Sequence, residues 1–135
     1  MNNKYFAKII AKDQHGLQMI SAHCSEAFVK VNEIKFLKSN KIFLMSLNRL
    51  RKEISKSKER ISSILKFEYI SSTKSKNIDQ TKTDTIIDLI AIDIFRKDFN
   101  FEITLLFSNN GIITLTAEII EVTLEDQKKL NDQNN

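Results

Sequence analysis

The sequence is poor in the residues that build most familiar active sites. Its 135 residues include no proline, no tryptophan, two glycines, one cysteine and two histidines. The single cysteine excludes an intramolecular disulfide, and the scarcity of glycine and histidine excludes most common cofactor-binding and catalytic motifs. We therefore predict no catalytic residue, no metal site and no cofactor, and we favour a non-enzymatic protein.

Long apolar runs are also missing. The longest uncharged stretch, residues 103–117, is interrupted by the turn-forming residues 108–111, which argues against a membrane span. Near the N-terminus the apolar residues are interrupted by Lys4, Lys8 and Lys12, so no signal-peptide core is formed. We therefore expect a cytoplasmic protein that does not associate with membranes.

What is present suffices for one domain. A hydrophobic content of 41% over 135 residues fills one core of ordinary size, and no glycine- or proline-rich linker divides the chain. We predict a single domain over residues 1–124 and a polar, frayed tail over residues 125–135. The net charge of +4 is too ordinary to identify a polyanion partner.

A short strand and one helix are predicted at the N-terminus. The segment before Asp13 is β-branched and aromatic, and Asp13 stands at the position of a helix N-cap. Leu17, Ile20, Ser21 and Cys24 then follow at helical spacing and form a narrow, mostly apolar stripe. We predict that Cys24 is a buried, unreactive thiol.

The first predicted hairpin turns at Ser39 and Asn40. Apolar residues alternate on both sides of this polar turn, and a two-residue loop brings most of the large ones to one face. The predicted pairs are Phe36 with Phe43, Ile34 with Met45, and Asn32 with Leu47.

The second predicted hairpin turns at Asn109, Asn110 and Gly111. The large apolar residues of both arms occupy odd positions, so a three-residue loop keeps them on one face. We therefore predict that Gly111 takes the left-handed conformation and forms a bulge. The predicted pairs are Phe107 with Ile113 and Leu105 with Leu115.

The remaining strands complete a β-rich fold. Residues 65–73 alternate in hydrophobicity, and residues 85–95 are apolar on both faces around Leu89-Ile90-Ala91-Ile92, which predicts a central strand. We predict an α+β fold with a single antiparallel sheet, bent or closed into an open barrel, and one N-terminal helix. A pleckstrin-homology-like roll is the alternative.

The strongest charge feature is the run of residues 49–60, with six cations and two acids. A basic loop of this kind can bind the phosphates of RNA or another polyanion, although it contains no aromatic residue for base stacking. A solvated connection between strands is the structural alternative. The candidate polyanion contacts are Arg49, Arg51, Lys52, Lys56, Lys58 and Arg60.

The metal-ligating residue types are too scattered to form a site. His15 and His23 are eight residues apart, which is roughly 12 Å along a helix and too far for one ion. The aspartates of the later chain match no calcium-binding loop and lack its glycine. They are Asp79, Asp84, Asp88 and Asp93.

Six short motifs, spread over nearly the whole chain, form a recognisable pattern. They are Ile20-Ser21-Ala22-His23, Phe28-Val29-Lys30-Val31, Leu47-Asn48-Arg49, Lys76-Asn77-Ile78-Asp79, Leu89-Ile90-Ala91-Ile92 and Ile119-Ile120-Glu121. In their order and spacing the chain resembles domain of unknown function 2948, an uncharacterised alphaproteobacterial family. Where this chain has Leu50, the family pattern has an aromatic residue, and it has a tryptophan near the position of Lys52. This chain has neither of them. The resemblance implies no reaction, ligand or cofactor.

The polar members of these motifs are candidates for a shared site. We hypothesise that His23, Asn48, Arg49 and Asp79 converge on a polar cleft beside the sheet, where Arg49 receives an anion and His23 exchanges a proton. In the structural alternative, these residues brace a helix end, a strand exit and a turn.

Three interpretations of function follow from these features. The first is a cytoplasmic binding or interaction module, with homodimerisation through an exposed edge strand as one form. The alternative is an RNA- or polyanion-associated protein that uses residues 49–60. The third is a small enzyme that uses His23.

Overall fold

The sheet of this protein is continuous and antiparallel. A computed structural model describes residues 6–54 and 58–127. The elements are β1 (Lys8–Ala11), α1 (Gln14–Cys24), β2 (Ala27–Leu37), β3 (Ile42–Leu50), β4 (Arg60–Phe67), β5 (Ile70–Lys76), β6 (Ile86–Lys97), β7 (Asn100–Phe107), β8 (Ile112–Ala117) and β9 (Val122–Asp126). The strands pair in the order β1-β9-β4-β3-β2-β6-β7-β8-β5, which confirms the predicted β-rich α+β fold.

The sheet is curled, because the connection between β4 and β5 is too short to join these two strands in a flat sheet. β4 is third and β5 ninth in the strand order, which in a flat sheet would separate them by roughly 29 Å. Glu68 and Tyr69 alone join them, and this link spans at most about 11 Å. Tyr69 turns the corner in a left-handed conformation (φ 61°), so the predicted strand over residues 65–73 is two strands.

The helix α1 packs on the inner face of the curled sheet, against β1, β3 and β6. The side chain of Asp13 accepts a 2.8 Å hydrogen bond from the backbone N–H of Gly16, which confirms the predicted N-cap. Leu17, Ile20 and Cys24 are buried, as the stripe predicted. Burial raises the pKa of the Cys24 thiol to about 12, so the thiol stays protonated at neutral pH.

The strand β6 lies near the middle of the sheet, as predicted for residues 85–95. Only one of its two apolar faces is buried, because Ile86 and Ile90 are 59% and 51% exposed. The pairing with β7 shifts between Leu89 and Ala91. Among the described residues, no helix has the length and apolar character needed to cross a bilayer.

The first hairpin keeps most of its predicted register. Phe36 pairs with Phe43 and Ile34 with Met45, but Leu47 pairs with Val29 instead of Asn32. The register differs because β2 contains a bulge between Val29 and Ile34. Within this bulge, the N–H of Asn32 donates to the carbonyl of Thr83 at 3.1 Å. A partner from the distant β5–β6 connection therefore overrides the local alternation.

The second hairpin keeps the predicted odd-to-odd pairing but is shifted by two residues, because Leu105 pairs with Ile113. The loop is Ser108–Asn110, and the N–H of Phe107 donates to the carbonyl of Gly111 at 2.8 Å. The prediction of a left-handed Gly111 is wrong, since its φ is −72°. Asn109 and Asn110 take that conformation (φ 60° and 64°), which asparagine tolerates well.

The position of Gly111 favours glycine because there is little room for a side chain, and not because the backbone needs a left-handed conformation. A Cβ there would lie 3.1 Å from Cγ1 of Ile78 and 3.3 Å from Cβ of Phe107. We expect Gly111→Ala to lower the free energy of unfolding by about 1 kcal/mol, measured by urea denaturation. In an Ile78→Ala background the same change should cost clearly less. An equal cost in both backgrounds would contradict the steric explanation.

The last strand extends beyond the predicted domain boundary. Glu125 pairs with Lys8 of β1 and with Ile64 of β4, so residues 125 and 126 belong to the sheet and not to a tail. The boundary at residue 124 is therefore two residues too early, because the partner strands of these polar residues are far away in sequence. Residues 128–135 lie outside the described part of the chain.

Candidate functional site

The predicted cleft residue Arg49 is the centre of a buried ion-pair network. It continues the inward alternation of β3, and its side chain is 0% exposed. Nε and Nη2 each donate to Asp126 at 2.9 Å, while Nη1 and Nη2 donate to Glu53 at 3.0 and 2.6 Å. Nη1 also donates to the carbonyl of Leu50 at 3.3 Å. These bonds use all the donors that a guanidinium has.

The carboxylate of Asp126 collects further donors from neighbouring strands. It accepts from the hydroxyl of Ser63 at 2.7 Å and from the backbone N–H of Ala7 at 2.8 Å. Burial acts to raise the pKa of Asp126, but the hydrogen bonds from Arg49, Ser63 and Ala7 outweigh it and hold the pKa below its ordinary value. The network therefore stays ionised and joins the two ends of the described chain.

Glu53 closes the network on the side of the basic run. Hydrogen bonds from Arg49 are the main cause that lowers the pKa of Glu53, and the charge of His23 contributes. Both carboxylates also raise the pKa of Arg49 against the effect of its burial. A cation that is buried and paired on two sides is not available to an external anion, and its removal would leave buried carboxylates without a partner.

The four residues of the predicted cleft do not meet in one place. His23 lies in the last turn of α1, and its Nδ1 lies 2.9 Å from the carbonyl of Met19. Asn48 precedes Arg49 on β3 and therefore faces the opposite side of the sheet. Asp79 closes a turn in the β5–β6 connection by accepting from the N–H and hydroxyl of Thr81 at 3.0 and 2.6 Å.

The basic run is also divided by the structure. Arg49 and Arg51 are 0% and 2% exposed, and Nη1 of Arg51 donates to Glu59 at 3.1 Å. Both are therefore removed from the candidate polyanion contacts, because their side chains enter the core. The candidates at the surface are Lys52, Lys58 and Arg60, while Lys56 lies outside the described residues.

A cavity of about 440 Å³ opens within the curled sheet, between β2 and β3 on one side and β5 and β8 on the other. The β5–β6 connection contributes the remaining wall. The lining combines apolar side chains with nearly as many amide- and hydroxyl-bearing ones, and none of the described residues in it is charged. It consists of Val31, Asn32, Ile34, Phe36, Phe43, Thr73, Ser75, Ile78, Gln80, Thr83 and Ile113.

Hydrogen bonds fix the β5–β6 connection over this cavity. Nε2 of Gln80 donates to the hydroxyl of Ser75 at 2.8 Å, and Nδ2 of Asn77 donates to the carbonyl of Asn110 at 3.0 Å. The bulge in β2 is bound to the same connection through Asn32. These three hydrogen bonds attach the connection to the second hairpin, to β5 and to β2 beside the cavity.

Sequence reasoning missed this cavity because its walls come from distant segments. One available signal was Ile78, an apolar residue in an otherwise polar connection and a member of one of the six motifs. A second signal was the interruption of alternation at Asn32. Within residues 6–54 and 58–127, no group of three or more histidine, cysteine, aspartate or glutamate side chains could hold a metal ion.

Comparison with known proteins identifies a family but no reaction. No curated protein and no solved structure matches the chain at a significant level. The family model described as a protein of unknown function, DUF2948, matches residues 7–134. That range includes every strand of the sheet, the residues of the Arg49 network and the whole lining of the cavity. The chain belongs to the DUF2948 family.

Proposed function

We propose that this protein is a cytoplasmic binding module that holds a small, uncharged and largely apolar molecule in the cavity within its sheet. The observation that carries the proposal is a cavity of about 440 Å³ in whose lining none of the described side chains is charged. Ligand sites typically measure roughly 300 to 1,000 Å³, and the mouth of a barrel-like sheet is one of their common positions.

The chemistry of the lining defines the class of ligand. Ile34, Phe36, Phe43 and Ile113 offer aliphatic and aromatic contact surface, which favours an apolar ligand body. A charged ligand would lose its hydration here without gaining an ion partner, which is costly. The ligand class is therefore neutral.

Polar groups at intervals in the lining can orient such a ligand. The amides of Asn32 and Gln80 and the hydroxyls of Thr73 and Thr83 lie in the lining and supply donors and acceptors. None of the lining side chains is a histidine, cysteine or carboxylate that could move a proton or activate a nucleophile. This composition supports binding without catalysis.

A pair of fluorescent dyes tests the proposal. N-phenyl-1-naphthylamine is neutral, whereas 1-anilinonaphthalene-8-sulfonate has a similar aromatic body and a negative charge. We expect saturable binding of one neutral dye per chain, with affinity at least tenfold higher than for the anionic dye, measured by fluorescence titration. Equal affinity for the two dyes would contradict the assignment of a neutral site.

Two tryptophan substitutions locate the binding. Thr73→Trp on β5 fills the cavity and should weaken binding of the neutral dye at least tenfold. Thr114→Trp is the matched control, because Thr114 lies on the neighbouring β8 and is not among the lining residues. We expect its affinity to remain within twofold of the parent protein. Unchanged binding by a folded Thr73→Trp variant would overturn the proposal.

A further inference from the structure

An arginine and a phenylalanine form an exposed stack on the outer face of the sheet. The guanidinium carbon of Arg60 lies 3.9 Å from the ring centroid of Phe28. Phe28 is 42% exposed, so this aromatic ring on β2 is accessible beside a cation on β4. Aromatic rings and guanidinium planes are the two surfaces on which proteins stack unpaired bases.

Hydrogen bonds hold the cation of this stack in place. Nη1 of Arg60 donates to the carbonyl of Asn48 at 3.0 Å and lies 3.4 Å from the side-chain oxygen of the same residue. It also donates to the carbonyl of Glu26 at 3.5 Å. A cation fixed in this way loses less conformational entropy when a ligand binds.

Amide and hydroxyl groups continue from the stack across the strands. Phe28 lies opposite Asn48, and Asn48 lies opposite Ser62, so these three outward side chains form a row. A shallow depression of about 410 Å³ beside the row includes Ser46, Lys30 and Glu33 in its lining, and Asp88 lies opposite Phe28 on β6. The depression thus combines an aromatic surface and hydrogen-bonding groups with Lys30, and the neighbouring carboxylates limit its attraction for anions that do not also stack.

We propose that this outer face, defined by Phe28, Lys30, Asn48, Arg60 and Ser62, binds a nucleotide of single-stranded RNA. The base stacks against Phe28 and Arg60, the amide and hydroxyl contact its polar edge, and Lys30 contacts a phosphate. Paired bases are already stacked within a duplex, so the site selects a single strand. The proposal goes beyond the neutral ligand of the cavity and uses a different face of β2.

Binding to a fluorescein-labelled single-stranded RNA of mixed sequence tests this site by fluorescence anisotropy at 50 mM salt. We expect saturable binding that is at least tenfold tighter than binding to the duplex of the same sequence. Phe28→Leu and Arg60→Gln should each weaken it about tenfold, consistent with the loss of one stacked base. Lys30→Gln should instead reduce the salt dependence by about one phosphate contact.

The chain supplies a matched control in Arg96, whose guanidinium carbon lies 5.5 Å from the ring centroid of Phe101. Arg96→Gln removes the same charge from the same kind of pair, and we expect RNA affinity within twofold of the parent. Equal losses for Arg96→Gln and Arg60→Gln would overturn the proposal, because they indicate non-specific charge attraction. Absence of RNA binding at 50 mM salt, or equal binding of the duplex, would overturn it as well.

Two further measurements separate this site from other binding. Inorganic phosphate at millimolar concentration should not displace the RNA, and displacement would show an anion site without base stacking. Thr73→Trp should leave RNA affinity unchanged, because it alters only the cavity. Failure of the dye experiment and failure of the RNA experiment are thus distinguishable.

Discussion

Replacing Arg49 with methionine is expected to lower the free energy of unfolding by about 3 to 5 kcal/mol. Methionine fills much of the volume of the arginine stem, but it leaves the carboxylate of Asp126 without its cation. Because the Asp126 side chain is 0% exposed, water cannot replace the two lost hydrogen bonds. Urea denaturation at pH 7 measures the change.

Two control variants test whether the loss of stability is caused by an uncompensated buried charge. Lys41→Met removes one partner of the ion pair with Glu118, whose side chains are 51% and 42% exposed, and it should cost less than about 1 kcal/mol. Adding Asp126→Leu to Arg49→Met should recover part of the loss, because the uncompensated charge is removed. If Arg49→Met costs no more than Lys41→Met, the carboxylate of Asp126 does not depend on Arg49 to remain buried.

Acid is expected to weaken the fold through the same network. The pKa of Asp126 and the pKa of Glu53 are both lowered in the folded protein, from ordinary values of 3.8 and 4.5. The unfolded chain therefore takes up protons first as the pH falls. Their contribution to stability is complete above about pH 5 and is lost as the pH falls through the folded pKa values.

Urea midpoints measured from pH 7 to pH 3 should decline in the parent protein and decline less in Asp126→Asn. The comparison uses the slope of the urea midpoint against pH and not the midpoint at pH 7, because Asp126→Asn is itself less stable at neutral pH. Asp79 also has a lowered pKa, so some decline should remain in the variant. Identical slopes in the two proteins would assign the acid sensitivity to other groups.

The parts of the fold that can be predicted from the sequence are those determined by the local periodicity of apolar residues. The N-cap at Asp13 and the buried stripe of α1 follow from spacing within a few turns, and the odd-to-odd pairing of the second hairpin follows from alternation. Alternation repeats every two residues, so it cannot distinguish the predicted pair Leu105 with Leu115 from the observed pair Leu105 with Ile113. Both registers place the same residues on the core face.

Long-range partners decided what local patterns could not. The bulge at Asn32 depends on a bond to Thr83, and the corner at Tyr69 depends on a curled sheet that no short window of sequence reveals. The site was mispredicted for the same reason. The alternation of Met45, Leu47 and Arg49 already pointed inward, but the partner that makes burial tolerable is 77 residues away, within the predicted tail.

The bond between Arg49 and Asp126 also sets an order of events during synthesis. A nascent chain carries Arg49 long before its buried carboxylate partner at position 126 leaves the ribosome. Until then, closing the core around β3 would bury a cation without Asp126, which is costly. The sheet can therefore close fully only after β9 is available, and a chain truncated before Asp126 retains an open core that quality-control proteases can attack.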